Sequence, residues 1–298
     1  MGIGAKEWVE VNKQVDSCFD GYTVSFVLNP KISILDLPLR GKGACFQLGE
    51  LIQLVELQSD GLPEDVAHFI KVYAPYCFAA MHAKRWKRTF VVSHFAQSLD
   101  GRISTYSGDS KWIGSFENQV HAHRMRALCD GVLIGSRTLR QDQSKLTVRH
   151  VSGDNPTRIV LGNCEDKIDS LTQSSPDPIL LIGADVHPQD GIVRTVKLER
   201  KDGFIPSFQI LKTLYQQKIY SVYIEGGATT TSRFLKEKAI DIMQLHISPM
   251  IIGSGLNSFE VPPIQNIGDS VRFESYMYLP VGDGIMFVGS IPDTSSIG

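Results

Sequence analysis

The chain has 298 residues, of which 42% are apolar and 21% charged, with a formal net charge of −2, the balance of a globular protein able to bury a full core. That charge excludes attraction to nucleic acid or to an acidic membrane through bulk electrostatics, although a local arginine cluster still suffices for a small anion. No apolar run reaches the roughly 20 residues that span a bilayer, and the start Met-Gly-Ile-Gly-Ala-Lys-Glu-Trp has no apolar segment of the signal-peptide kind.

Tyr22 to Leu28 and Ile32 to Leu35 read as short strands. Leu48 to Leu57 and Pro63 to Ala83 read as helices, the second opened by Pro63 with Glu64 and Asp65 in its first turn. The basic stretch Lys84-Arg85-Trp86-Lys87-Arg88 is a solvated linker or helix end and marks a boundary. It divides a small N-terminal α+β region, 1–87, from a larger domain, 88–298. The smaller region has little margin of stability alone and is expected to pack on the rest, as a dimerisation, docking or regulatory element or as a structural cap. Beyond residue 88 the pattern alternates. Strands are predicted over Phe90–Ala96, Gly131–Gly135, Arg158–Leu161, Ile179–Ile182, Ser221–Ile224, Asp241–Ile247 and Gly284–Val288, with helices over Ser115–Leu128, Phe208–Gln217 and Thr229–Lys238. This is an α/β class: a mixed, mostly parallel sheet flanked by helices, with an antiparallel edge where no helix separates the last two strands.

The five cysteines, Cys18, Cys45, Cys77, Cys129 and Cys164, show no C-x-x-C spacing. Reduced thiols in a cytoplasmic protein are expected, without a structural zinc. His121 and His123 lie two apart on a helix and so face apart, and neither H-E-x-x-H nor G-x-S-x-G occurs. With no metal expected, the chemistry falls to an organic cofactor.

Three segments carry it. In Ile224-Glu225-Gly226-Gly227-Ala228-Thr229-Thr230-Thr231 a buried strand ends in Glu, two glycines turn, and a helix opens with small residues. Glycines admit a ligand close to the backbone, and a helix N-terminus offers N–H groups to an anion such as a pyrophosphate. The spacing is not G-x-G-x-x-G, and an ordinary strand-to-helix turn reads the same way. Ser98-Leu99-Asp100-Gly101, followed by Ser107 to Ile113, is a polar turn and Gly-containing loop leading to Trp112, which either packs a nicotinamide or pterin-like ring or belongs to the core. Arg126, Asp142 and Leu146-Thr147-Val148-Arg149 complete the set, since two arginines converging on one place suit a phosphate.

In order, A-x-S-L-D-G-R-I, S-G-D-S-K-W-I, R-A-x-x-D-G-V-L-I-G, T-L-x-x-D, L-T-V-R, N-P-x-R-I-V-L, V-Y-I-E-G-G and I-S-P-M-I-I-G resemble the reductase domain of bacterial riboflavin biosynthesis proteins of the RibD type, over residues 88 to about 290. The resemblance implies a dihydrofolate-reductase-like fold, usually a homodimer. It also implies an NADPH-dependent reductase that delivers hydride to C1′ of the opened ribosyl chain of 5-amino-6-(5-phosphoribosylamino)uracil. Ser110, Arg126, Leu146, Arg149 and Glu225 match substrate contacts. Arg126 and Arg149 suit the ribose phosphate, and Glu225 suits a sugar hydroxyl or ring group. Ala96, Trp112, Thr138, Asp142, Asn163 and the run Gly227, Ala228, Thr229, Thr230, Thr231, Ser232 and Arg233 match NADPH contacts, with Asn163 nearest the 2′-phosphate. No general acid is singled out. The chain departs from the family at Gln97, placed beside the nicotinamide, at Gly162, at Asp142-Gln143-Ser144 and at Ala228-Thr229-Thr230. Residues 1–88 lack the deaminase zinc motifs of the bifunctional relatives, since His82-Ala83-Lys84 has no Glu to shuttle protons. Two other readings stand beside this one: a related reductase of another pyrimidine or pterin-like metabolite, and a catalytically silent homologue acting as a binding or assembly subunit.

Overall fold

A computed structural model describes residues 22–26, 44–48, 54–58, 72–73, 76, 79–142, 144–189 and 191–291. In chain order the strands are β1 (Tyr22–Phe26), β2 (Ala44–Leu48), β3 (Leu54–Gln58), β4 (Phe90–Ser98), β5 (Arg102–Thr105), β6 (Gly131–Gly135), β7 (Thr157–Leu161), β8 (Ile179–Gly183), β9 (Val193–Lys197), β10 (Ser221–Glu225), β11 (Ile242–Ser248), β12 (Gly255–Asn257), β13 (Ser275–Val281) and β14 (Gly284–Ser290). The helices are α1 (Ala79–Trp86), α2 (Phe116–Leu128), α3 (Ser136–Asp142), α4 (Ile168–Ser174), α5 (Ser207–Gln216) and α6 (Ala228–Lys236).

The helix expected over Leu48 to Leu57 is corrected. Both of its ends are strand, and Leu48 pairs with Leu54 in the antiparallel sheet β1–β2–β3. A short apolar run has no decisive period, so its pairing partner decides the matter. The strand expected at Ile32 to Leu35 lies outside the described residues. Of the helix expected over Pro63 to Ala83, residues 63–71 also lie outside them. Its end is real and runs on to Trp86, so the basic stretch is partly a helix end.

The main sheet has nine strands in the order β13-β14-β11-β4-β10-β6-β7-β8-β9. Every pair from β11 to β9 is parallel, while β14 runs antiparallel to β11 and β13. The mixed, mostly parallel sheet and its antiparallel edge are therefore as expected. Side chains alternate across it. Val92, Val132, Ile134 and Tyr223 meet Met125 of α2, Leu139 of α3 and Leu171 of α4 on one face. Val91, Leu133, Val222 and Ile224 meet Leu211 and Leu214 of α5 and Phe234 of α6 on the other. Burial on both faces explains why these strands read as continuous apolar runs. Val72, Tyr73, Tyr76, Ala79 and Ala83 enter the first of these cores, so the segment before residue 88 is part of its packing. At the strand starts, Asp241 accepts Arg88 Nη1 and Nη2 at 2.9 and 2.6 Å and the Val91 amide at 2.7 Å, fixing β4 against β11.

Under α2 the sheet buries a polar row. His121 Nε2 meets Gln244 Oε1 at 2.9 Å, which fixes its proton on Nε2, and its Nδ1 takes the Tyr73 hydroxyl at 2.9 Å. Gln244 Nε2 donates to the Tyr76 hydroxyl at 2.7 Å, and His94 Nε2 meets Asn118 Oδ1 at 3.0 Å. Burial lowers the His121 pKa to about 4 and holds His94 well below its ordinary value. Because the folded pKa is depressed, the neutral histidine contributes stability above about pH 6.5, and that contribution is lost as pH falls toward 4. Unfolding free energy is expected to drop by about 1.4 kcal/mol per pH unit for His121 alone in this window. Urea denaturation at pH 7, 6 and 5 checks it, and a His121→Gln variant should show a shallower slope.

Candidate functional site

The parallel strands converge at their carboxyl ends, where an open α/β sheet leaves a crevice. A cleft of about 210 Å³ lies there. Ala96 from β4 and Glu225 from β10 line it, with Gly226 and Gly227 beyond Glu225. Thr138, Gln141 and Asp142 of α3 line another side, and Ser104, Gly108, Ser110, Ile113 and Gly114 come from β5 and the loop after it.

The glycine turn is shaped for close approach. Gly226 and Gly227 have φ of +64° and +74°, a region that L side chains avoid. A Cβ on Gly226 meets nothing within 4 Å, whereas one on Gly227 would stand 2.6 Å from Thr138 Oγ1. Gly226 thus leaves room in the cleft, and Gly227 lets α6 begin against α3. The amides of residues 228–230 precede the first bond within the helix, Thr231 N–H to Gly227 O at 3.0 Å, so they are donors for an incoming anion.

Glu225 does not stand alone. Arg126 Nε and Nη2 donate to its two oxygens at 2.5 and 2.6 Å, a bidentate pair with side-chain exposures of 10% and 15%. Arg126 Nη1 donates to Thr147 O at 2.7 Å. Burial opposes the Arg126 charge, but the Glu225 carboxylate outweighs it and the guanidinium pKa is raised. Arg149 Nη1 donates to Thr147 Oγ1 at 2.8 Å. Its own pKa is lowered by burial and by the neighbouring Arg126, with Glu225 compensating in part. Asp142 is pushed the other way, its carboxyl pKa raised by desolvation.

Residues 89–287 match the model of the RibD C-terminal domain. The chain belongs to the RibD C-terminal domain family. It is 30% identical over 205 residues to the riboflavin biosynthesis protein RibD of Aquifex aeolicus, covering 67% of this chain and 57% of that protein. It is 28% identical over 178 residues to the 2,5-diamino-6-ribosylamino-4(3H)-pyrimidinone 5′-phosphate reductase of the same organism, covering 56% of this chain and 80% of the relative. A crystal structure of a diaminohydroxyphosphoribosylaminopyrimidine deaminase/5-amino-6-(5-phosphoribosylamino)uracil reductase from Thermotoga maritima superimposes with a TM-score of 0.61 at 25% identity, over 71% of this chain and 59% of that one. The chain spans little more than half the length of the RibD proteins it matches.

Within this RibD C-terminal domain, the expected site residues separate into groups. Ala96, Ser110, Thr138, Asp142, Glu225 and Gly227 line one cleft. Arg126 is held by Glu225, so the two expected as separate substrate contacts form one unit. Leu146 is fully buried at φ +58° and does not line the cleft. Trp112 neither joins the core nor lines the cleft; it is 75% exposed at φ +68°. Asn163 is engaged by its own loop and the loop after β8, accepting the Glu165 amide and donating to Asp185 O. Gln97 is not among the lining residues. From Gly227 to Arg233 most side chains turn elsewhere. Ala228, Thr231 and Ser232 are buried, Thr231 against Ser93 at 3.3 Å and Ser232 on the Glu260 amide at 2.7 Å. Thr229 reaches Glu260 at 2.8 Å, and Arg233 pairs with Glu237 at 2.9 Å over the Phe204 ring. That leaves the backbone amides of the first turn and the half-buried Thr230, whose Oγ1 lies beside Gly227, for a ligand on this helix.

The Ser98-Leu99-Asp100-Gly101 turn proves to be a clasp. Asp100 Oδ1 accepts the Ser98 hydroxyl at 2.6 Å and the Ile252 amide at 3.1 Å, and Oδ2 accepts the Gly253 amide at 2.7 Å. These bonds, the Ser98 hydroxyl first, hold its pKa down at about 2. The turn thereby ties β4 to the loop after β11, and none of its residues lines the cleft. Residues missed by sequence reasoning are Phe95, Ser104, Gln141 and Leu256, whose types carry no chemical signal outside their placement in the cleft.

Proposed function

We propose that the chain is an NADPH-dependent reductase of riboflavin biosynthesis, acting on a phosphorylated ribosylaminopyrimidine of the 5-amino-6-(5-phosphoribosylamino)uracil type. The observation that carries the reading is the cleft at the strand ends, which joins an open glycine turn and helix N-terminus to the Arg126–Glu225 pair. The site fits the cofactor: a Cβ-free cradle at Gly226, unbonded amides at the start of α6, and Thr138 and Asp142 opposite suit a dinucleotide diphosphate and its sugars. When bound, the reduced nicotinamide supplies hydride for C1′ of the opened ribosyl chain. The chain's own residues orient the partners. Glu225, fixed by Arg126, accepts a hydroxyl or ring N–H of the substrate. Arg149, whose charge is only partly compensated, takes the phosphate.

The test is oxidation of NADPH by the purified protein on adding 5-amino-6-(5-phosphoribosylamino)uracil; a protein that binds neither compound would sink the reading. Gly227→Ala tests the cradle separately. Positive φ and the 2.6 Å approach to Thr138 Oγ1 both oppose a methyl group. NADPH affinity, read by fluorescence titration, is expected to fall by about tenfold or more.

A further inference from the structure

We infer that His123 is a positioning residue for the phosphate subsite, its Nδ1 holding the backbone of Arg149 so that the guanidinium is aimed. The inference rests on the reading of Arg149 as the phosphate ligand. His123 is buried on α2, one turn before Arg126. Its Nδ1 accepts the Arg149 amide at 2.7 Å and lies 3.4 Å from the His150 amide. Two N–H groups directed at one ring nitrogen require it to be unprotonated, so the imidazole is neutral with its proton on Nε2, and the 3.5 Å approach of Arg126 Nη1 to Nε2 is a contact rather than a hydrogen bond. Burial and the nearby Arg126 and Arg149 charges agree, lowering its pKa to about 3. The His150 ring stands edge-on at 4.4 Å and fixes the imidazole plane.

The consequence is geometric. Arg126 anchors Glu225 and Thr147 O, while His123, one helical turn away, anchors the next stretch of the same loop. One face of α2 therefore sets both the carboxylate and the arginine, and displacing a reacting or binding group by a fraction of an ångström is costly. His123 touches no reacting atom in this scheme and acts through Arg149.

Three variants separate positioning from mere packing. In His123→Asn the amide oxygen falls near the place of Nδ1; in His123→Gln it reaches toward Nε2; His123→Leu has no acceptor. With 5-amino-6-(5-phosphoribosylamino)uracil and NADPH, His123→Leu and His123→Gln are expected to raise KM for the pyrimidine about tenfold. Their kcat and NADPH dissociation constant should stay within about threefold, and His123→Asn should restore KM to within about threefold of the parent. If Leu and Asn behave alike, or if NADPH affinity falls as much as KM rises, the inference is overturned. Arg149→Ala is run beside them. An unchanged KM there would overturn the phosphate reading itself, and the inference with it. A raised KM there with an unchanged KM in His123→Leu would overturn the positioning role alone.

Discussion

Arg126→Met is expected to lower stability by about 3–5 kcal/mol, because it leaves the Glu225 carboxylate buried without a partner. The pair is bidentate and shielded from solvent, with 15% of the Glu225 side chain exposed. Thr147 O loses its shorter bond in the same step and keeps only the 3.4 Å approach of Arg149 Nη1. Removing both charges, as Arg126→Met with Glu225→Met, should recover much of the loss, since a buried pair stabilises little over an apolar replacement. Urea denaturation of the two single variants and the double variant measures the coupling. Both the double variant and either single one should be inactive, for they remove the group that orients the substrate. A strongly stabilising pair would instead leave the double variant as weak as either single one.

Arg149→Ala is the second large effect. It removes charge-assisted hydrogen bonds to a phosphate, worth about 1.5–3 kcal/mol, so KM for the phosphorylated pyrimidine should rise about 10- to 100-fold. NADPH affinity should move by less than about threefold, since neither the glycine turn nor α3 touches Arg149. Steady-state kinetics with each substrate varied in turn checks the split. Equal weakening of both would contradict the assignment.

Much of the architecture was legible because the strands beyond residue 88 are buried on both faces and separated by helices with clear starts, such as Ser115, whose hydroxyl caps α2 by accepting the Asn118 amide at 3.2 Å. What escaped were the pieces too short or too exposed to carry a period: β5, β12, α3, α4 and the outer strands β9 and β13, where Tyr276 and Tyr278 face solvent. The segment Leu48 to Leu57 misled because its apolar residues suit helix and strand alike, and only pairing settles them. The site divides in the same way. Glu225 and the glycines announce themselves at a strand end. That Glu225 is already claimed by Arg126, 99 positions earlier, is a fact of the fold and has no local signature. Ser98-Leu99-Asp100-Gly101 looked like a ligand loop because clasps and ligand loops use the same residue types: short acceptors, glycine and backbone amides. Trp112, Asn163 and the run Thr231 to Arg233 were expected by resemblance alone, and the structure turns their side chains to solvent, onto neighbouring loops or into the packing of α6.

Hydride transfer to the opened ribosyl chain, in the cleft that Glu225 and Gly226 line, can be read from isotope transfer. The direct measurement is incubation of the protein with 5-amino-6-(5-phosphoribosylamino)uracil and NADPH carrying deuterium at both hydrogens of nicotinamide C4, followed by mass spectrometry of the pyrimidine. The expected product is a ribitylamino pyrimidine carrying one deuterium at C1′, formed by the parent protein and lost in Gly227→Ala and Arg149→Ala at limiting cofactor and substrate respectively. A pyrimidine recovered without deuterium, from a folded protein that binds both compounds, would contradict it.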